Sequence, residues 1–206
     1  MEQLGEAWLE WRAGGIGGSD VAGIMGVSPW VTRPQLLRQK IKNWKCVARQ
    51  GDSRKSPAMM RGTRLEPKIR DLFNQRSGRS LVPACGIHDV LRFMRSSFDG
   101  LDETGRVALE IKCPNINDHT TALEKAVPEK YWPQCQHNLY VAGADKLYYV
   151  SWSDNPRLAP DDQLAVVVVR PSDSYVQAMV EAETLFWAEV EEGRFKARQK
   201  DSEKKS

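Results

Sequence analysis

Residues 98–112 read FDGLDETGRVALEIK, and the prediction of the fold starts from this stretch. Large apolar residues alternate over its last six positions, so in a strand Glu110 and Lys112 lie on the same face. Residues 100–105 are rich in Gly and Asp and predict a turn. A hairpin then places Asp99, which ends the preceding apolar run, beside Glu110.

Two converging carboxylates and a lysine suit the cleavage of phosphodiesters. Mg²⁺ takes oxygen ligands and is usually held by one or two carboxylates together with phosphate and water. Such an ion polarises a phosphoryl oxygen, and a second ion about 4 Å away can stabilise the leaving oxygen. Lys112 would supply positive charge to the attacking water or to the phosphorane. Asp99, Glu110 and Lys112 therefore predict a metal-dependent nuclease.

Each half of this pattern also has a purely structural interpretation. Asp-Gly is common in hairpin turns, and Glu-x-Lys is common on an exposed strand face. Glu66 strengthens the nuclease prediction, because Leu65, Ile69 and Phe73 are apolar at helical spacing and predict a helix that presents a third carboxylate. The alternative for Glu66 is a solvated position on that helix.

The composition is that of one soluble globular domain, with 206 residues of which 41% are apolar and 28% are charged. We assign residues 1–196 to a single nuclease domain and expect the charged residues 197–206 to form a disordered tail. A net charge of +3 does not by itself indicate nucleic-acid binding. The four cysteines form no Cys-x-x-Cys pair, and no apolar run approaches the ~20 residues that span a bilayer, so we expect a cytoplasmic protein without disulfides or zinc.

Hydrophobic periodicity predicts alternating helices and strands, and hence an α/β fold with a central mixed sheet flanked by helices. Helices are expected near 34–43, 57–78, 117–126, from 128 onward and 172–196, and strands near 80–84, 86–95, 106–112, 146–152 and 163–170. Ser19 or Asp20 is expected to cap a further short helix. Pro67 leaves open whether the second of the listed helices starts at Pro57 or near Thr63. A polar loop is expected at 45–55. The unbroken apolar run at 163–170 predicts a buried central strand.

Five sequence blocks, in this order, resemble the YqaJ-type viral recombinase family, which includes phage lambda exonuclease. The blocks are residues 15–22, 61–66, 99–100, 110–114 and 131–136. The similarity covers roughly residues 8–170. It implies a restriction-endonuclease-like core of the PD-(D/E)xK type.

The resemblance also implies an activity and its partners. It implies a magnesium-dependent 5′-to-3′ exonuclease that acts on linear double-stranded DNA ends, releases mononucleotides and leaves a 3′ single-stranded overhang. Two Mg²⁺ ions are expected, for which Mn²⁺ can substitute. The overhang would serve phage-type homologous recombination with a single-strand annealing protein. A ring-shaped homotrimer, encoded by a phage or prophage and acting in the bacterial host cell, is expected.

Residue roles follow from the same resemblance. The implied metal ligands are Asp99, Glu110 and the carbonyl of Ile111. Lys112 would contact the nucleophilic water, and Glu66 and Gln134 would lie beside the metals in the active site.

Other matched positions would contact the DNA end. Arg12 and Ser19 match a 5′-phosphate pocket, in agreement with the phosphate-binding capacity of a Gly-rich turn that enters a helix and of arginine. Gly17 stands where lambda exonuclease has a hydroxyl residue, so this pocket is expected to differ. Met59 matches an apolar wedge that helps to split terminal base pairs, with core packing as the alternative. Arg61 is expected either at the DNA backbone or in a surface ion pair.

Two other functions stay open at this point. A structure- or site-specific DNA endonuclease could use the same metal site, because Asp with Glu-x-Lys does not distinguish an internal phosphate from a terminal one. A DNA-binding module that has lost catalysis is the second, but the presence of Asp99, Glu110 and Lys112 together argues against it.

Overall fold

The computed structural model describes residues 5–43 and 57–203. The loop predicted at 45–55 lies outside these ranges. The helices are α1 (Glu6–Ala13), α2 (Gly18–Ile24), α3 (Arg33–Asn43), α4 (Pro57–Ser77), α5 (Ile116–Leu123), α6 (Trp132–Ala142) and α7 (Asp173–Glu203). The strands are β1 (Ile16–Gly17), β2 (Val82–Ile87), β3 (Met94–Leu101), β4 (Val107–Lys112), β5 (Lys146–Trp152) and β6 (Leu164–Val169). Short 3₁₀ turns occur at Glu129–Tyr131 and Pro160–Gln163.

These strands form one mixed sheet, as predicted. Its order is β1-β3-β4-β5-β6, and β2 also pairs with β3. Strands β3 and β4 are antiparallel, whereas β4 and β5 are parallel and are joined through α5 and α6. Strand β4, which carries the predicted Glu-x-Lys pair, therefore lies in the middle of the sheet.

The predicted hairpin between β3 and β4 is present. Gly100 pairs with Leu109, and the turn reverses through Gly105, whose φ of +71° is in the left-handed region. A Cβ on Gly100 would lie 3.0 Å from the Cβ atoms of Leu81 and Leu109, so only glycine fits between these side chains without a shift. Gly100 is thus required by packing within the sheet, whatever the chemistry of the neighbouring aspartate.

Helices cover both faces of the sheet. Ala108 of β4 packs with α2, α6 and α7 on one face, whereas Leu109 and Ile111 pack with Ile69 and Phe73 of α4 on the other. The alternation along β4 is the one predicted from the sequence. No helix within residues 5–43 and 57–203 is both long and apolar enough to cross a membrane.

Two predicted strands differ from the structure. Residues 88–93 are a turn, in which the Nδ1 atom of His88 accepts a hydrogen bond from the Leu91 N–H at 3.0 Å, so β3 starts at Met94 and contains Asp99 in its interior. Strand β6 was predicted to be central but pairs only with β5 among the described strands. Val168, on its outer face, is 52% exposed. Hydrophobicity alone did not distinguish a sheet edge from its centre.

The structure decides the start of one helix and extends another beyond its predicted end. Helix α4 starts at Pro57 and continues through Pro67 until Gly78, which adopts a φ of +65°. Helix α7 continues to Glu203, so the prediction of a disordered tail is wrong for residues 197–203. Lys, Arg, Gln and Glu are favourable helix residues and extend a helix that the core has already nucleated. Residues 204–206 lie outside the described ranges.

Candidate active site

Glu110 of β4 is the most enclosed carboxylate of the site, with 1% of the residue exposed. Its Oε1 atom accepts hydrogen bonds from Lys112 Nζ and from Gln134 Nε2, the latter at 2.6 Å. Its Oε2 atom accepts a bond from Asn138 Nδ2 at 2.8 Å. Both oxygens are therefore held in place by donors from the same strand and from α6.

Asp99 of β3 lies beside this group, as the hairpin predicts. Its Oδ2 atom accepts a hydrogen bond from the Ile111 N–H at 2.7 Å. Burial and the nearby charges of Glu110 and Glu66 raise the pKa of Asp99 well above its ordinary value. Burial also raises the pKa of Glu110, and Glu66 contributes to that rise, although Lys112 opposes it. The site thus concentrates negative charge that needs a cation.

Lys112 supplies part of that positive charge. Burial lowers its pKa, but the carboxylates of Glu110 and Asp99 outweigh this effect, so the pKa is raised overall. The ammonium group also lies 5.7 Å from the ring centroid of Tyr131, within the range of a cation–π contact. Lys112 is therefore a permanent cation at neutral pH.

Glu66 reaches the site from α4, on the opposite side of β4 from α6. Its Oε1 atom forms an ion pair with Arg70 Nη1 at 3.1 Å, one helical turn away. The same Arg70 nitrogen donates a hydrogen bond to the Asp99 carbonyl. Arg70 was not predicted as a site residue. Its only signal in the sequence was the i,i+4 spacing from Glu66. This spacing does not indicate a site, because it is equally common on helices that face solvent.

Helix α6 supplies the amides that bind Glu110. Gln134 was predicted through the family resemblance, whereas Asn138 was not predicted as a site residue. The Oδ1 atom of Asn138 accepts a bond from Ser96 Oγ at 3.0 Å, which leaves the Asn138 amide nitrogen to donate to Glu110. Gly18 lets α2 approach this helix, because a Cβ there would lie 2.6 Å from Asn138 Oδ1.

The predicted phosphate-binding residues lie in the same cleft. Arg12, Gly17 and Ser19 line it together with Asp99, Glu110 and Lys112. The remaining lining residues are Trp8, Trp11, Gly18, Glu66, Arg95, Ser97 and Gln134. The Arg12 guanidinium donates a hydrogen bond to the Ser19 hydroxyl. An arginine and a hydroxyl group thus line the same cleft as the carboxylates.

The turn before α2 is stabilised by Asp20. Its Oδ2 atom accepts a hydrogen bond from the Gly17 N–H at 2.9 Å and pairs with Lys40 Nζ at 2.6 Å. Burial raises the pKa of Asp20, but the charges of Lys40 and Arg12 lower it more, so the group is held ionised. Asp20, in the first turn of α2, therefore stabilises the turn at Gly17 through which the chain enters the helix. Ser19, the other predicted cap, instead contacts Arg12.

The remaining two predicted DNA contacts lie in the first turns of α4. Met59 is 61% exposed and borders a neighbouring pocket with Arg12 and Lys40, so core packing is ruled out for it. Arg61 forms an ion pair with Asp154 at 2.6 Å, which is the surface interaction that the sequence left open. A DNA contact for either residue stays a prediction.

The donor chemistry of the site fits a hard divalent cation. Within residues 5–43 and 57–203 there is no cluster of three or more His, Cys, Asp or Glu side chains arranged to hold a metal. Mg²⁺ does not need one, since it commonly uses one or two carboxylates and completes its shell with carbonyl, phosphate and water oxygens. Asp99, Glu110 and the Ile111 carbonyl are such donors, and the raised pKa of both acids indicates carboxylates that a cation would stabilise.

The sequence comparisons point to one family. The family model described as a YqaJ-like viral recombinase domain matches residues 7–145. The uncharacterized protein YqaJ of Bacillus subtilis strain 168 is 26% identical over 190 residues. That alignment covers 90% of this chain but 56% of the relative, so the chain spans little more than half of that protein's length.

The structural comparisons agree. An alkaline exonuclease from Laribacter hongkongensis, LHK-Exo, matches with a TM-score of 0.79 and 26% identity, over 97% of this chain and 99% of the other. The structure of LHK-Exo in complex with dAMP matches equally well. A phage-related exonuclease from Haemophilus somnus 129PT has the same fold, with a TM-score of 0.66 at 13% identity over 90% and 96% of the two chains. The predicted restriction-endonuclease-like core is confirmed.

Proposed function

Because this chain belongs to the YqaJ-like viral recombinase domain family, we propose that it is a DNA-hydrolysing nuclease of homologous recombination. The observation that carries this proposal is the single cleft shared by Asp99, Glu110, Lys112, Arg12 and Ser19. It combines groups for phosphodiester hydrolysis with groups suited to a terminal phosphate. The similarity to an alkaline exonuclease, also crystallised with dAMP, supports DNA as the substrate.

More specifically, the proposed reaction is 5′-to-3′ exonucleolytic digestion of linear duplex DNA. The enzyme would release mononucleotides and leave a 3′ overhang for a single-strand annealing protein. Support for the polarity comes from Arg12 and Ser19, which lie in the cleft with the acidic residues. A 5′-phosphate bound by Arg12 would place the next phosphodiester of that strand toward Asp99 and Glu110.

The chain's own residues prepare the cleft for the reaction. Gln134 and Asn138 orient both oxygens of Glu110 before DNA arrives, and the Ile111 N–H orients Asp99. Such preorganised groups lower the barrier because they need no reorganisation as charge develops. Lys112, cationic at neutral pH, would orient the attacking water and offset the charge that builds up on the phosphorane.

Mg²⁺ is the proposed cofactor. Asp99, Glu110 and the Ile111 carbonyl oxygen would hold it, and Glu66 lies close enough to influence the charge of both acids. When bound, the ion supplies Lewis-acid stabilisation to the phosphoryl oxygens. The binding of two Mg²⁺ ions, and their replacement by Mn²⁺, stay predictions. The ring-shaped homotrimer is likewise a prediction that sedimentation analysis can test.

Digestion of end-labelled DNA tests the proposal. Linear duplexes labelled at the 5′ or the 3′ end, with 5′-phosphate or 5′-hydroxyl termini, are incubated beside a closed circle, with Mg²⁺ or with chelator. We expect Mg²⁺-dependent release of the 5′ label as mononucleotide while the circle stays intact. Nicked or linearised circles would instead assign an endonuclease with the same site.

Two variants of the β3–β4 hairpin complete this experiment. Glu110→Ala is expected to lower cleavage by at least about a thousandfold while DNA binding is kept. Glu103→Ala, in the exposed turn of the hairpin, is the matched control and should cleave like the unmodified protein. A cleavage rate of Glu110→Ala equal to that of the unmodified protein would contradict the assignment of Glu110 as a metal ligand. If the unmodified protein binds DNA but does not cleave it, the result would support the alternative function, a DNA-binding module without catalysis.

A further inference from the structure

An aromatic pair next to the catalytic lysine has no role in the reaction described so far. The ring centroids of Trp30 and Tyr131 are 6.0 Å apart, and Lys112 Nζ lies 5.7 Å from the Tyr131 ring. Tyr131 therefore connects the catalytic amine to Trp30. Trp30 lies in the turn between α2 and α3 and is 67% exposed. An indole this exposed leaves a large apolar face available for a ligand.

A second lysine belongs to the same cluster. Lys130 Nζ lies 5.4 Å from the ring centroids of both Trp30 and Tyr131. It also pairs with Asp118 at 2.7 Å, which fixes its position. Two ammonium groups thus flank one pair of aromatic rings. Aromatic faces interleaved with cations are the arrangement with which proteins bind single-stranded nucleic acid, since bases stack on the rings and phosphates are attracted to the charges.

The cluster is held in place before any ligand binds. Ser28 Oγ accepts hydrogen bonds from the backbone N–H groups of Trp30 and Val31, at 3.2 and 3.3 Å, and so fixes the turn that carries the indole. The ring of Tyr131 packs against the buried Tyr149, with 6.0 Å between centroids. A fixed aromatic surface loses little conformational entropy on binding.

We propose that Trp30, with Tyr131 and Lys130, is a stacking site for a nucleobase of the DNA strand whose phosphate lies at Lys112. The proposal rests on the proposed function for the identity of the ligand. The base would belong to a nucleotide close to the scissile bond, because the Tyr131 ring lies 6.0 Å from the Trp30 ring and 5.7 Å from Lys112 Nζ. Stacking accepts any base, so the site would favour unpaired DNA without selecting its sequence.

Phe195, another large exposed aromatic side chain, has no cations of this kind flanking its ring in the part of the chain that the structure describes. Phe195 of α7 is 59% exposed, and none of the cation–π contacts found among the described residues involves it. It therefore provides the matched control for the removal of an exposed aromatic side chain. Trp30→Phe is the conservative variant, since phenylalanine keeps an aromatic face.

Binding in chelator tests the site without catalysis. The probe is a short 5′-phosphorylated single-stranded DNA with a fluorescent label, compared with the same strand made abasic near its 5′ end, and binding is measured by anisotropy. We expect Trp30→Ala to bind the normal strand about tenfold more weakly, within the range for loss of one stacked base. Trp30→Phe should recover most of the affinity, and Phe195→Ala should match the unmodified protein.

The abasic strand separates stacking from a structural role. With no base to stack, Trp30→Ala and the unmodified protein should bind it equally. Equal binding of the normal strand, or an equal loss on both strands, would overturn the proposal. In Mg²⁺ the variant should raise KM for duplex DNA more than it lowers kcat. An unmodified protein that binds but never hydrolyses DNA would refute the nuclease function, while the abasic comparison still decides the stacking site.

Discussion

Glu110 is a carboxylate placed almost fully out of solvent, which costs free energy unless donors surround it. Three donors do so: Lys112 from its own strand, and Gln134 and Asn138 from α6. Only Lys112 is close to Glu110 in sequence. At the scale of single residues, the geometry of the site therefore depends on side chains whose roles differ: some would contact the substrate, and others act by orienting a neighbour.

Asn138 is of the orienting kind. Asn138→Ala would remove the donor to Glu110 Oε2 and leave that oxygen free to move. With Glu110 as the proposed metal ligand, we expect cleavage to fall by about 10- to 100-fold, the usual cost of losing a group that orients such a ligand. Steady-state rates at several Mg²⁺ concentrations measure this effect. Asn117→Ala, at an exposed position of α5, is the control. Unchanged rates in Asn138→Ala would show that Gln134 and Lys112 suffice to orient Glu110.

Arg12 tests the phosphate pocket. Arg12→Ala would remove a guanidinium that lines the cleft and bonds Ser19, so the preference for 5′-phosphorylated over 5′-hydroxyl ends should fall by about tenfold. Initial rates on the two kinds of duplex give the ratio, with Arg92→Ala in the exposed turn before β3 as the control. An equal loss of rate on both ends would count against a phosphate role for Arg12.

At the scale of elements, the site depends on how closely α2 and α6 approach each other. Gly18 starts α2 and lies against Asn138 and Gln134, the two amides that bind Glu110. The distance between these helices therefore determines how close the predicted phosphate pocket, which includes the start of α2, lies to the carboxylate site. Capping residues predicted α2 and the pattern after Pro128 predicted α6, but neither signal contains information on the separation of the two helices.

Gly18→Ala should force α2 and α6 apart. The added methyl would lie 2.6 Å from Asn138 Oδ1, so we expect a destabilisation of about 1–3 kcal/mol together with lower activity. Gly62→Ala in α4 is the matched control, because no atom lies within 4 Å of its new Cβ. That variant should be neutral or stabilised by up to about 1 kcal/mol. Urea unfolding measures both, and equal stability of the two variants would refute the close-approach argument.

At the scale of the whole molecule, a buried ion pair joins three elements behind the site. His137 of α6 contacts Glu183 of α7 through Nδ1 at 2.9 Å and the Arg95 carbonyl of β3 through Nε2 at 3.0 Å. The Arg95 carbonyl can only accept, and a Glu183 carboxylate accepts as well, so this setting favours a proton on both ring nitrogens and hence the cationic imidazole. Burial lowers the pKa of His137, but the carboxylate of Glu183 raises it more, and the net change is upward.

This pair predicts a pH-dependent stability. A raised pKa in the folded state stabilises the protein fully below the unfolded pKa of about 6.5, and the contribution is lost as the pH rises through the folded value. The free energy of unfolding should therefore decrease above pH 6.5, by at most about 1.4 kcal/mol per pH unit from this group. His137→Gln should be less stable and should lack this decrease, whereas His88→Gln should keep it. Urea titrations at several pH values measure these slopes.

Much of the fold and of the site could be predicted from local patterns. The period of two along β4 predicted the shared face of Glu110 and Lys112, and the glycines around the hairpin predicted its turn, because both depend on residues close in sequence. The same patterns misplaced β6 at the centre of the sheet and ended α7 too early. An edge strand and a central strand can share one composition, and the length of a helix depends on what it packs against.

The sequence by itself determined the α/β class, the positions of most helices and strands, and the acidic pair with its lysine, since these follow from the backbone geometry of short segments. Only the tertiary structure decided that Arg12 and Ser19 share a cleft with Asp99, that Asn138 donates to Glu110, and that Trp30 lies next to Tyr131. The physical reason is that each of these contacts joins segments distant along the chain. Their meeting is set by the packing of α2 and α6 on the sheet, which no local pattern encodes.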